Sequence, residues 1–406
     1  EKQMDSNPIE KNGNSHYYPR DFIIKRTPKG HLPNLPSLNG TRIIAALLVY
    51  LFHTSSGNML NLFSDDAIGT TYSFILSKAG WVSVSFFFIL SGFVMNWSSP
   101  SVSNPLQFYK KRFAKVYPVN IFIIILLIFT GIISIGRVDV WLPNLLLIQT
   151  WIPQGDIYIG GNVPSWFLSV IVFLYIIYPF LLKIVKKIPT ESLWTSVILC
   201  YIALIAVNGA IYTLLPTVPV IEGWPHVVGE IQWWLSYTFP PTRIFEFVIG
   251  MLLSRIILEG KWIPVSVTTS MVLTALTYCI DLFMPFLLSL NLVTLIPLTL
   301  LIGSLAVSDL QGKRSFLHAK PMQWLGSISF CFYLIHFLVL RLLNEWTDGN
   351  RYDVIGAAQL IIAAGAVSLI AGWLLYQFIE QPVGKLLTNK MRKNISSPEQ
   401  ETRPIS

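Results

Sequence analysis

Charge is scarce in this chain, and acidic charge scarcest. Asp and Glu number 21 against 29 Lys and Arg, and charged residues make up 12% of the 406 positions. An ordinary soluble domain carries about 25%. Polar linkers of the kind that divide a soluble protein of this length into domains are missing as well. Cysteine is nearly absent: Cys200, Cys279 and Cys331 all fall within apolar blocks. Their odd number and spacing give no sign of a disulfide framework or a zinc site, and no metal is expected. The stretch before Leu38 is polar and has no apolar signal region, so no cleavable secretory peptide is expected.

What is present is apolar. Hydrophobic residues make up 53% of the chain, in blocks of about twenty that suit a bilayer core about 30 Å thick. Segments such as Ile121–Thr130 and Leu288–Leu301 have no polar face, which argues against a large soluble helical protein. The net charge of +8 lies almost wholly in the connecting segments. That placement is the one expected of cytoplasmic anchors, so the partner is a lipid bilayer and not nucleic acid.

Apolar spans lie near 41–57, 81–97, 116–135, 138–152, 164–183, 193–215, 240–257, 263–282, 286–307, 323–343 and 354–379. Pro143, Asn144 and Gln149 interrupt the span at 138–152. If that one does not cross, 24 of the 29 Lys and Arg fall on the side of the termini, as the positive-inside rule asks. The expected fold is therefore an all-α integral membrane protein of about ten transmembrane helices, both termini cytoplasmic, with 138–152 re-entrant or interfacial. Residues 1–37 read as a flexible cytoplasmic tail, 38–385 as the membrane domain, and 386–406 as a second cytoplasmic tail.

Ionisable residues inside such spans are costly and mark function. The first span carries Arg42 and, eleven residues on, His53. That spacing puts both on one helical face about 16 Å apart. A buried histidine packed for structure and a general base both fit His53. Arg243 and Glu246 share a face and can pair, structurally or otherwise. His336, with Tyr333 one turn before it, lies at a depth similar to His53; Trp166 and Ser169 open the span at 164–183. These residues can meet in the outer half of the membrane. Arg42 and the run Lys110, Lys111, Arg112 and Lys115 would line the inner side, where ordinary topology anchoring is the plain alternative. A polyanionic donor docked on the inner cations, with its reactive end at a membrane-held histidine, fits this division.

Seven segments in order carry a resemblance. They are Leu38-Asn-Gly-Thr-Arg42 with His53, Gly80 to Val94, Phe108 to Pro118, Trp166-Phe-Leu-Ser-Val170, Arg243 to Gly250, Leu325 to His336, and Glu380-Gln-Pro382. Together the chain from Leu35 to Leu387 resembles the membrane-bound acyltransferase-3 family. The resemblance implies acyl transfer, usually of acetyl, from acyl-CoA to a hydroxyl on a glycan or small product. It implies His53 as the catalytic residue with Arg42 in support, and places the donor's nucleotide near Arg112 and Lys115. Three positions depart from the family pattern. Lys115 replaces an Arg, Ile171 and Val172 stand where a carboxylate often follows, and Ser83 stands where Asp is common. Glu246 is the candidate for the acidic role. The expected function is O-acylation of a cell-envelope or surface glycan, with a small secondary metabolite such as a macrolide sugar as the alternative acceptor. A transporter whose Arg and His line a pathway is the alternative outside the enzymes. Against it stand the lack of transporter-like repeats and the few carboxylates within spans, Glu246 and Asp281.

Overall fold

A computed structural model describes residues 32–55, 60–218, 228–285, 288, 290 and 292–386. Nearly all of the expected N-terminal and C-terminal tails, residues 56 and 57 of the expected span at 41–57, and residues 286, 287, 289 and 291 of that at 286–307 lie outside them. Among the described residues the chain is all-helical, with no strand beyond a single bridge between Phe63 and Tyr352.

The helices run in the order α1 (Pro36–Ser55), α2 (Asp66–Leu76), α3 (Ala79–Ser98), α4 (Pro105–Phe129), α5 (Val138–Leu146), α6 (Gly155–Tyr158) and α7 (Ser165–Lys187). There follow α8 (Leu193–Leu214), α9 (Glu230–Trp233), α10 (Ile244–Leu258), α11 (Val267–Asp281), α12 (Leu295–Leu310), α13 (Lys320–Thr347) and α14 (Val354–Leu375). Local chemistry sets several of the starts. Asp65 accepts from Ala67 and Ile68 N–H at the head of α2, and Asn104 caps α4 with Pro105 in its first turn.

Six segments among the described residues are long and apolar enough to cross a membrane, and α11 and α12 are shorter apolar helices. Helix α1 runs unbroken through Arg42 and His53, the polar residues that bound its apolar run. Residues 138–152 form a nine-residue helix and one 3-10 turn, Gln149–Trp151, joined where Leu147 turns back at φ 57°. Nine residues rise only about 14 Å, too short to cross. Two differences from the expected spans have local causes. Helix α2 was not expected; it is capped by Asp65, but Thr70 and Thr71 break its apolar pattern. Helix α4 begins eleven residues before the apolar run it contains, so the basic motif is helical. It stops at Gly131, whose φ of +77° a side chain would resist.

Burial separates centre from rim. In the α2–α3 segment 67% of the most apolar window is buried, against 22% for the segments containing α8 and α14. Ile198, Ile202, Ile362 and Ile370 face outward, as a lipid-facing rim requires. Helices α3 and α10 approach closest: a Cβ on Gly92 would lie 1.9 Å from the Phe247 carbonyl oxygen, and one on Gly250 1.9 Å from that of Ile89. Small residues at a crossing allow this backbone contact, the usual means of helix packing where apolar solvent gives no other drive.

Helices α1 and α13 lie side by side and are fastened at both ends. At the start of α1, Asn39 donates to Gln323 of α13, 3.1 Å, while Ser37 donates through N–H and hydroxyl to Asp309 of the neighbouring α12, 2.8 and 2.6 Å. Gln323 in turn donates to the Pro36 carbonyl, 2.8 Å. Beyond the other end, Ser64 N–H donates to Tyr352 O (2.8 Å) and Tyr352 N–H to Leu62 O (2.7 Å). Arg351 donates to Phe63 O at 2.7 Å and pairs with Asp66. These two clasps set the register in which α1 and α13 present their polar residues.

Candidate active site

One end of the α1–α13 pair holds two histidines. His53 and His336 lie with ring centroids 5.3 Å apart and planes 34° apart. Phe337 meets His53 edge-on at 5.4 Å, while Phe332 and Tyr50 flank His336 at 5.9 and 6.1 Å. His53 is half-buried; His336 is fully buried, and neither of its ring nitrogens has a hydrogen-bond partner among the described residues. Imidazole is a poor choice for pure packing in such a place, because each unsatisfied polar atom costs about 1–3 kcal/mol.

The other end holds cations. A cavity of about 150 Å³ is lined by Arg42 of α1, Arg112 and Lys115 of α4, Tyr175 of α7, and Ser91 and Ser329 of α3 and α13. Arg112 and Lys115 share a helical face, as their spacing dictates. Arg112 donates to Ser99 at 3.0 Å and lies over the rings of Phe108 and Tyr175 at 5.4 and 5.9 Å. Lys115 is accessible to solvent, whereas Lys110 and Lys111 lie on the exposed face of α4, outside the cavity lining. Glu380 supplies a counter-charge: its carboxylate acts on Arg42 and Lys115 and accepts from the Cys331 thiol at 3.1 Å. The cavity reaches Tyr333, whose ring is 5.9 Å from that of His336.

A third cluster is buried beside these. Arg243 and Glu246 pair at 2.8 Å with both side chains fully buried. The guanidinium also donates to the Tyr237 carbonyl at 2.8 Å, and lies over Tyr237, Phe88 and Trp166 at 4.7, 5.2 and 5.7 Å. One Arg243 nitrogen and one Glu246 oxygen have no hydrogen-bond partner among the described residues.

A family model described as an acyltransferase domain matches residues 35–377. The chain belongs to this acyltransferase family. It is 32% identical over 383 residues to an acyltransferase, MdmB, of Streptomyces mycarofaciens, with 91% of this chain and 96% of the relative covered. It is 22% identical over 399 residues to the peptidoglycan O-acetyltransferase OatA of Listeria monocytogenes, covering 89% of this chain and 58% of that one. No solved structure matches. The protein is therefore an acyltransferase, as the seven motifs imply, and an enzyme.

Within this acyltransferase the predicted residues fall into separate groups. Arg42, Arg112 and Lys115 share the cavity; His53 and His336 form the pair, with Tyr333 between the two. Arg243, Glu246 and Trp166 form the third cluster. That cluster connects to His53 through a chain of rings, Trp166 to Tyr237 (4.7 Å), Tyr237 to Trp81 (6.3 Å) and Trp81 to Phe52 (6.3 Å). Ser169 stands elsewhere: its hydroxyl bonds Thr150 at 2.6 Å and donates to the Leu147 carbonyl at 2.8 Å, anchoring the 138–152 segment.

Sequence reasoning missed Tyr175, Ser91, Ser329 and the ring-bearing Tyr237. It quoted Glu380 within a motif and gave it no role. Tyr175 carried a usable signal, since it follows Ile171 by four positions on an apolar helix. Tyr237 carried none, because the i→i+5 turn Trp234–Thr238 that presents it, closed by Phe239 N–H to Trp234 O at 2.8 Å, has no plain sequence mark.

Proposed function

We propose that this acyltransferase crosses the cell membrane ten times with both termini cytoplasmic, and takes an acyl group, acetyl first among them, from acyl-CoA on the cytoplasmic side. The acceptor is a hydroxyl of a cell-envelope or surface glycan. The observation that carries this reading is the cavity where Arg42 of α1 meets Arg112 and Lys115 of α4, with the histidine pair of α1 and α13 beyond it. A polyphosphate donor matches Arg42, Arg112 and Lys115, with Lys110 and Lys111 extending the positive field outward. The match to a peptidoglycan O-acetyltransferase supports a glycan acceptor, and a hydroxylated small metabolite is the second reading beside it.

His53, accessible and close to His336, removes the acceptor hydroxyl's proton directly or relays the acyl group covalently. The oxygen that gains charge as the thioester is attacked is stabilised by a buried donor on the histidine side, while Arg42 holds the donor's phosphates. Arg243 and Glu246, stacked on Trp166, shape the acceptor's side of the site, and the free Glu246 oxygen is the carboxylate available there.

The test is donor binding by the detergent-purified protein, comparing wild type with a variant carrying both Arg112→Ala and Lys115→Ala. Loss of two charge-assisted contacts should weaken acyl-CoA binding by at least about tenfold. Absence of binding by folded wild type would sink the donor assignment. With binding secured, acetylation of a glycan fragment against that of a hydroxylated small metabolite decides the acceptor.

A further inference from the structure

The cation cavity ends in three rings. On each of the three helices that wall its far end, the lining residue nearest the histidines is aromatic: Phe87 on α3, Phe167 on α7 and Tyr333 on α13. Their centroids form a nearly equilateral triangle, 6.0 Å from Phe87 to Phe167, 5.9 Å from Phe87 to Tyr333 and 5.7 Å from Phe167 to Tyr333. At such spacings each ring touches the other two. One turn beyond Tyr333 stands His336, and beside it His53. The triangle therefore separates the cations from the histidines.

The three rings differ in freedom. Tyr333 is buried, and its hydroxyl donates to the Pro164 carbonyl at 3.2 Å. Phe87 and Phe167 are only half-buried and have no polar tether. They are the rings that can turn aside.

The size of the cavity matters as much as its end. About 150 Å³ is the volume of an engineered apolar cavity that holds a benzene ring. Apolar walls of Leu90, Val94, Leu168 and Ile171 continue from the cations to the rings. Such a space admits the narrow acyl end of a thioester past the cations that hold its phosphates.

We propose that Phe87, Phe167 and Tyr333 form a sieve that determines which acyl groups this enzyme transfers, passing short unbranched chains and refusing branched or aryl ones. The inference rests on the acyl-CoA reading above. The acyl group is the tip of the donor, so it meets the triangle first and must pass between Phe87 and Phe167 to reach His53. The chemistry beyond the rings is unchanged. The thioester C–S bond breaks, the ester C–O bond forms, and the hydroxyl's proton passes by way of the histidine to the departing CoA thiolate.

The experiment measures kcat/KM for acetyl-CoA, isobutyryl-CoA and benzoyl-CoA with wild type, Phe87→Ala and Phe167→Ala, and binding of desulfo-CoA to each. Wild type should strongly prefer acetyl-CoA. Each Ala variant should raise the ratio of isobutyryl to acetyl turnover by about tenfold or more, the scale set by a methylene-sized change in an apolar passage. Desulfo-CoA affinity should stay within a few-fold, since the cations are untouched. Phe87→Leu and Phe167→Leu keep most of the packing and should shift the ratio the same way, which covers an Ala variant that fails to fold. An unchanged ratio in folded variants, or a wild type that uses benzoyl-CoA as readily as acetyl-CoA, overturns the sieve. A wild type that neither binds desulfo-CoA nor consumes acetyl-CoA overturns the donor assignment itself.

Discussion

Replacing His336 with Phe should make this enzyme more stable and nearly inactive. The side chain is fully buried, and neither ring nitrogen finds a partner among the described residues. A neutral imidazole carries one donor and one acceptor, and each left unsatisfied costs about 1–3 kcal/mol. Phe keeps the ring against Phe332, Tyr50 and Tyr333, but its extra bulk in a packed site returns part of the gain. The net expectation is about 1–3 kcal/mol of stabilisation, or a rise in melting temperature of about 2–6 °C on the scale of larger proteins. Loss of a proton-handling group beside His53 should meanwhile lower kcat by about 10²- to 10⁴-fold. Melting in detergent by intrinsic fluorescence gives the first number, and transfer of labelled acetyl the second. Full turnover by the stabilised variant would remove His336 from the reaction. A lower melting temperature would show that its nitrogens are satisfied, and the cost assigned to them would be wrong.

Two further outcomes follow from buried contacts. Arg243→Met leaves the Glu246 carboxylate buried without its partner and should destabilise by about 3–5 kcal/mol, whereas adding Glu246→Leu should recover most of that loss; if Glu246 also takes part in transfer, the double variant folds and is inactive, and a single variant as stable as wild type refutes the pairing energetics. Gly250→Ala places a Cβ 1.9 Å from the Ile89 carbonyl oxygen where 3.4 Å is an ordinary contact, so α3 and α10 must part by about 1.5 Å and melting should fall by several degrees at about 1–3 kcal/mol of overpacking. Gly209→Ala, which meets nothing within 4 Å, is the control that should leave melting unchanged or slightly raised.

Much of the fold was legible because bilayer-length apolar blocks leave few choices. The expected spans at 164–183, 193–215 and 323–343 correspond closely to α7, α8 and α13. The weak crossing at 138–152 was legible from Pro143 and Asn144, which a spanning helix seldom tolerates together. Helix α2 was not, since amphipathic segments at a membrane surface lack a run of apolar residues. For the site, the basic run of α4 was read as lying with Arg42 on the inner side, and of that run Arg112 and Lys115 line a cavity with Arg42 while Lys110 and Lys111 do not. What periodicity could not give was contact between distant helices. Nothing local in the sequence says that Ser169 bonds Thr150, or that Tyr237 rather than a histidine receives the Arg243 guanidinium. Those pairings depend on the tertiary approach of α7, the Gln149–Trp151 turn and α10, and a reading of one helix at a time does not reach them.

The clasps at the two ends of α1 and α13 bear on how a donor and an acceptor on opposite faces could ever meet. A protein that rocks must let two helices pivot, opening one mouth as it shuts the other. Helices α1 and α13 are tied by Asn39 and Gln323 at one end, and the stretches that follow them are tied through Tyr352 at the other. On the acyl-transfer reading proposed above, the histidines stay at one depth and the transferred group does the travelling. Such a machine resembles a bulkhead with a fixed port more than a revolving door.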